Sequence, residues 1–142
     1  MKKIFYIITA VLSLLVSCTI ETSDNGDLDG MWLLERMDSL SNNAITTFDE
    51  HKITWSFQYD LLQLSNLHDK PVIYRFERTD DKLILNNPSM FDRTLGDTLV
   101  TGVEVLRQFG VNAIYESFYI KSLSKNDMVL ESSLLRLHLK KH

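Results

Sequence analysis

The side chains here that could do chemistry are one thiol, four imidazoles and a scatter of carboxylates. The thiol is Cys18, the sole cysteine among 142 residues. It stands directly behind Leu15-Val16-Ser17, at the end of an uncharged apolar run from Ile4 to Val16 that follows Lys2 and Lys3. With no second thiol it cannot close an intrachain disulfide, and at this place it is a candidate for modification. The histidines are His51, His68, His138 and His142. No two form an H-x-H pair, and His138 and His142 fall in a strand and its tail, not on one helical face. A metal site needs three or four converging N, O or S ligands, which this spacing does not offer. No G-x-S-x-G elbow supplies a nucleophile. Asp80-Asp81 has the composition of a turn, since neighbouring strand residues point to opposite faces. Glu77, Glu116 and Glu131 are strand-borne acids, but nothing in their spacing selects a pair to flank a glycosidic bond. The five glycines are scattered and build no phosphate cradle. The residues therefore predict no enzyme, no cofactor and no metal.

The elements that place these groups begin with the apolar run. Its 13 residues would span about 20 Å as a helix, short of a hydrocarbon core of about 30 Å. That length fits a cleaved leader. Leu15-Val16-Ser17-Cys18 resembles the lipobox of bacterial lipoproteins. The resemblance implies that the Cys18 thiol receives a diacylglycerol and that cleavage frees its amine for further acylation. Two or more fatty chains hold a protein stably at a membrane where one does not. Residues 1–17 are then the signal peptide, and 18–29 an acylated cysteine with an acidic tether carrying Glu21, Asp24, Asp27 and Asp29. Such a segment has too little apolar surface to bury. Thr19 after Cys18 implies, by the same resemblance, outer-membrane delivery in the cell envelope. The run Ser23 to Asp27 looks loosely like surface-export signals and reads equally as a solvated spacer. Loss of Lys2 and Lys3 leaves 13 Lys and Arg against 19 Asp and Glu, a formal charge of −6. That balance argues against nucleic acid and against electrostatic docking on anionic lipid.

Residues 30–142 have the size of one domain and read as strands. Ile53, Trp55, Phe57, Tyr59 and Leu61 alternate with polar residues, the mark of a strand with one buried face. The phase slips near Asp60-Leu61, where Leu62 and Leu64 change parity; a bulge or tight turn is expected there. Val72, Tyr74 and Phe76 lead through Thr79-Asp80-Asp81 to Leu83 and Leu85, a hairpin pattern. Phe118 and Ile120 share one parity and Tyr115 and Tyr119 the other. Ser124 to Asp127 is a polar turn before Met128 and Leu130, and Leu135, Leu137 and Leu139 follow. One helix is predicted over Thr98–Phe109, from Leu99, Val103, Leu106 and Phe109 at helical spacing, with Thr101 or Asp97 as N-cap and Gly110 after its end. The expectation is an all-β fold: an antiparallel up-and-down barrel of about eight strands with one short helix.

Gly30-Met31-Trp32, at the start of this domain, resembles the G-x-W motif of lipocalins, and the ending from Met128 to Lys141 looks like the last two strands of lipocalin-like bacterial lipoproteins of unknown function. The resemblance implies that Trp32 plugs the closed end of a barrel and that Arg136, matched by position only, packs across it. An aromatic set remains. Trp55, Phe57, Tyr59, Tyr74, Phe76, Phe118 and Tyr119 are the candidate ligand-binding residues, with the tyrosines as polar anchors; Tyr115 lies in the same group. His68, Arg75 and Arg78 read first as surface charge, and second as groups that could reach a ligand carboxylate at the mouth. For each of these aromatics taken singly, core packing is the first reading and pocket lining the second. The reading is a lipid-anchored envelope module that binds a small hydrophobic ligand. The alternative is an accessory lipoprotein whose filled barrel docks on a larger envelope complex.

Overall fold

The computed structural model describes residues 23–48 and 52–142. Cys18, the leader and His51 lie outside the described residues. Ten strands follow in order: β1 (Gly30–Ser39), β2 (Ile45–Thr47), β3 (Thr54–Gln58), β4 (Leu61–Ser65), β5 (Val72–Arg78), β6 (Lys82–Met90), β7 (Thr98–Leu99), β8 (Glu116–Leu123), β9 (Asp127–Glu131) and β10 (Leu135–Lys141). A helix of four residues, α1 (Glu104–Arg107), lies between β7 and β8, and a 3₁₀ turn (Gly26–Leu28) precedes β1.

Eight of the strands meander as β1-β3-β4-β5-β6-β8-β9-β10, and β10 returns to pair antiparallel with β1, from Trp32↔Lys141 to Ser39↔Leu135. The sheet is thus a closed antiparallel barrel. β2 extends the place of β3 along the same edge of β1, Arg36 facing Thr47 and Leu33 facing Thr54. The two lie in line along that edge, the Phe48 N–H donating to the Glu35 carbonyl and the Ile53 carbonyl accepting the Leu34 N–H. β7 adds to the end of β6.

Alternation decides the inside. Trp32, Leu34, Trp55, Phe57, Leu62, Leu64, Val72, Tyr74, Phe76, Leu83, Leu85, Phe118, Met128, Leu130, Leu137 and Leu139 are buried, every second residue of their strands. An eight-stranded barrel has an interior about wide enough for its own side chains, and here large ones fill it. Trp55 meets Phe118 edge-on at 5.6 Å between ring centroids, and Phe57 meets Phe76 at 5.3 Å and 88°. These are favourable quadrupole geometries that add to the area term.

The two ends differ. At the closed end the chain before β1 folds under the barrel: Leu28 is fully buried and its carbonyl accepts the Trp32 Nε1–H at 2.9 Å. The cation over the Trp32 ring is Lys141 Nζ, 4.3 Å from its centroid. The role expected of Arg136 therefore falls to Lys141. β10 runs antiparallel to β1, so its last residues meet Trp32, while Arg136 lies opposite Asp38 and pairs with Glu131 at 2.9 Å.

Residues 23–29, expected as part of the tether, are likewise fixed. The Asn25 side chain donates to the Tyr59 carbonyl at 2.6 Å, the Asn25 carbonyl accepts from Arg78 Nη1 at 2.7 Å, and the Asp27 carbonyl accepts from Lys141 Nζ at 2.8 Å.

At the other end, the segment between β7 and β8 forms a lid. Leu106, Phe109 and Val111 are buried, and the Phe109 carbonyl accepts the Trp55 Nε1–H at 3.1 Å. The helix is shorter than its apolar spacing suggests. Leu99 pairs as β7 with its side chain 72% exposed, and the helix starts only after Val103, with no side-chain cap from Thr101 or Asp97. Gly110 does end it, at φ +84°. The phase slip proves to be a tight turn at Tyr59-Asp60, with Tyr59 at φ +56°.

Candidate functional site

Of the aromatic set, the barrel brings Trp55, Phe57, Tyr74, Phe76 and Phe118 together inside. Tyr59 and Tyr119 are outside, each 51% exposed. Tyr59 occupies the β3–β4 turn, and Tyr119 has the opposite parity to Phe118 on β8, with Lys82 Nζ 4.9 Å above its ring. Tyr115 is exposed as well. Only Tyr74 remains as a polar anchor, and its hydroxyl reaches the Ala113 carbonyl at 3.5 Å. Burial pushes that hydroxyl up, with the Glu116 carboxylate adding to the shift. The inner aromatics pack on one another, so they form the core beneath a site instead of the walls of one.

Concave surface lies at the lidded end. One open cavity of about 390 Å³ sits between the lid, the β2–β3 interruption and the β4–β5 loop. Its apolar walls are Met37, Phe48, Ile53 and Leu67; its polar groups are Thr46, Lys52, Asn66, His68, Asp69 and Gln108. A second cavity, about 360 Å³, lies across the same loop against Val72, Met90, Val105 and Phe109. His68, Asp69 and Gln108 border both. A hydrogen-bonded bridge there ties loop to lid: Asn66 Nδ2 donates to Gln108 Oε1 at 2.6 Å and to Asp69 Oδ2 at 2.9 Å, while Asn66 Oδ1 accepts the His68 and Asp69 backbone N–H groups. Of the groups expected at the mouth, His68 is there. Arg75 and Arg78 are not: β5 starts at the mouth and carries them to the closed end, where Arg75 pairs with Asp60 and Arg78 with the Asn25 carbonyl.

Hydrogen bonds from Asn66 and then Gln108 hold the Asp69 carboxyl below its ordinary 3.8, burial opposing and His68 assisting. A carboxylate lowered on folding contributes stability above its unfolded value and loses it as pH falls through the folded one. The bridge is therefore expected to persist at pH 4 and above and to release in stronger acid. An NMR titration of the Asp69 side-chain carboxyl should give a midpoint below 3.8, moved upward by Gln108→Ala; a midpoint of 3.8 or higher in the parent protein would mean that the bridge does not form.

The other titratable cluster is on the outer wall across the β1–β10 seam. Arg36 Nη2 donates to Asp38 Oδ2 at 2.9 Å, and His138 Nε2 lies 2.8 Å from the same oxygen. Burial pushes the Asp38 carboxyl up, but the hydrogen bonds from Arg36 and His138 outweigh it and hold the group low. The acids Glu116 and Glu131 are engaged locally, Glu116 accepting the Asn112 and Ser117 N–H groups and Glu131 the Arg136 guanidinium. Glu77 is exposed on β5. Asp81 lies in the β5–β6 turn, accepting the Thr79 hydroxyl. Among the described residues, no group of three or more His, Cys, Asp or Glu could hold a metal ion.

A closed eight-strand meander with a tryptophan at its plugged end and a cavity at its lidded end is a barrel of the lipocalin type. The family model for the lipocalin-like domain matches residues 12–142, and the chain belongs to that family. Its barrel is similar to that of a lipocalin-like protein from Bacteroides uniformis, at 16% identity and a TM-score of 0.63, covering 82% of this chain and all of that one. An uncharacterized protein from Bacteroides eggerthii is similar at 15% identity and a TM-score of 0.56, over 81% of this chain and 99% of that one. At such identities the likeness shows the fold. No curated protein matches the sequence.

Met37, Phe48, Leu67 and Gln108 carry no pattern in the sequence that marks them as lining a cavity. The nearest to a signal is the lone leucine in the polar run Ser65 to Lys70, because a loop has little other use for Leu67.

Proposed function

We propose that this protein is a lipid-anchored binding module of the bacterial envelope, held at the outer membrane through Cys18, that seats a small hydrophobic ligand at its mouth and performs no catalysis. The observation that carries this reading is the mouth cavity of about 390 Å³ with Met37, Phe48, Ile53 and Leu67 on its walls. Pockets for small molecules have that size, apolar lining and a few fixed polar groups. The aromatic core below leaves the ligand near the lid, not deep in the barrel. Support for the anchor is the lipobox-like Leu15-Val16-Ser17-Cys18.

A soluble form from Thr19 onward, titrated with a dansyl-labelled fatty acid, is expected to bind saturably. Leu67→Asp, on a side chain already 68% exposed, should weaken binding about tenfold by trading apolar contact for a charge, a difference of about 1.4 kcal/mol. For the anchor, Cys18→Ala should abolish incorporation of labelled palmitate; label retained by the variant refutes it. Absence of saturable binding would favour the second reading, an accessory lipoprotein docked on an envelope complex. The filled interior and the exposed Leu67, Leu95 and Leu99 around the mouth support that alternative.

A further inference from the structure

The fixed segment before β1 determines which way an anchored barrel can face. Residues 23–29 are fastened to the closed end by bonds to three separate elements: the Tyr59 carbonyl in the β3–β4 turn, Arg78 at the end of β5 and Lys141 at the end of β10. Leu28 is buried beneath Trp32. Ser23, the first described residue, therefore lies at the closed end, only five residues from Cys18. Five residues, fully extended, reach at most about 18 Å.

The mouth is farther away than that. β1 has ten residues and runs from the closed end to the mouth. At 3.3 Å per residue and a strand tilt near 40° it covers roughly 25 Å along the barrel axis. The lid and the β4–β5 loop stand beyond its end, with Leu95 84% exposed. An acyl-glycerol group on Cys18 sits at the level of the lipid head groups, so the barrel cannot stand mouth-down on the same bilayer with its closed end uppermost.

We propose that the anchored protein stands on its closed end, with the mouth cavity turned away from the bilayer that holds it, so that ligand enters from the aqueous phase and not from that membrane. This rests on the acylation of Cys18 proposed above. The exposed apolar side chains divide accordingly. Met31, Tyr59 and Leu61 lie toward the closed end and face the lipid surface, where an exposed tyrosine suits the interface. Ile45, Leu67, Leu95 and Leu99 ring the mouth and face water or an incoming carrier.

The test uses full-length chain, acylated in a bacterial host and reconstituted into phosphatidylcholine vesicles that carry a nitroxide on a fraction of their head groups. Asp80→Cys in the β5–β6 turn and Leu95→Cys in the mouth loop, made separately, are labelled with bimane; both positions are exposed. The expected result is quenching of the label at position 80 and none at position 95. Protein that floats with the vesicles but shows equal quenching at both positions, more at 95, or none at either overturns the orientation and leaves the anchor standing. Protein that fails to float overturns the anchor, and the orientation with it.

Discussion

Trp55→Ala should destabilise the domain by about 3–5 kcal/mol, the range for truncating a buried tryptophan. Trp55 is fully buried, stacks edge-on with Phe118, touches Phe57 at 6.3 Å between centroids and donates its Nε1–H to the lid at the Phe109 carbonyl. The substitution removes the ring contacts and leaves that carbonyl without its donor. With a urea slope of 1–3 kcal/mol per molar, the unfolding midpoint should fall by about 2 M. Trp55→Phe separates the two contributions: it retains most of the packing and loses the lid bond, so it should cost about 1–3 kcal/mol. The vacated volume lies directly beneath Phe109, and an apolar void of this kind stays dry and admits small apolar molecules. The alanine variant should therefore take up benzene or xenon that the parent protein excludes. A midpoint within 0.5 M of the parent would mean that Trp55 is not the node joining barrel and lid.

Gly110→Ala is expected to cost about 2–5 kcal/mol, from two sources that a second variant can separate. Gly110 has φ +84°, where an L side chain is strained by about 1–2 kcal/mol. A Cβ there would also lie 2.7 Å from Leu137 Cδ2 and 3.0 Å from Met37 Sδ. Leu137 is itself fully buried and has little room to swing away, so overpacking adds about 1–3 kcal/mol. Gly96 has φ +80° with nothing within 4 Å of a Cβ. Gly96→Ala should show the backbone strain alone. Equal losses at the two positions would show that the lid yields at Gly110 and that the β10 contact does not constrain it.

The alternation of apolar residues made most of the barrel legible. Trp55 and Phe57, Tyr74 and Phe76, and Leu83 and Leu85 are all inside, because a strand with one wet face must keep every second side chain in the core. The same rule was available at β8. Phe118 and Tyr119 are adjacent and cannot both point inward, yet both were expected at the ligand site; the structure keeps Phe118 inside and leaves Tyr119 exposed. Tyr59 was harder: its parity is right, but the strand ends beneath it in a turn with φ +56°. The helix was overestimated because helical spacing at Leu99, Val103, Leu106 and Phe109 does not require a helix throughout. Pairing with Ser89 draws Leu99 into β7, and only Leu106 and Phe109 of that set are buried.

Local order along the chain determined the period-2 faces, the hairpin turns and the tryptophan placed to plug one end. Those depend on neighbours within a few residues, which a sequence displays directly. Tertiary structure decided what depends on residues far apart: that Lys141 and not Arg136 covers Trp32, that residues 23–29 close the barrel, and that the concave surface belongs to loops around Phe48, Leu67 and Gln108 while the aromatics fill the core. The physical reason is closure. Once β10 pairs with β1, interior volume becomes a shared property of eight strands, and no single stretch of chain reveals whether that space is full or empty.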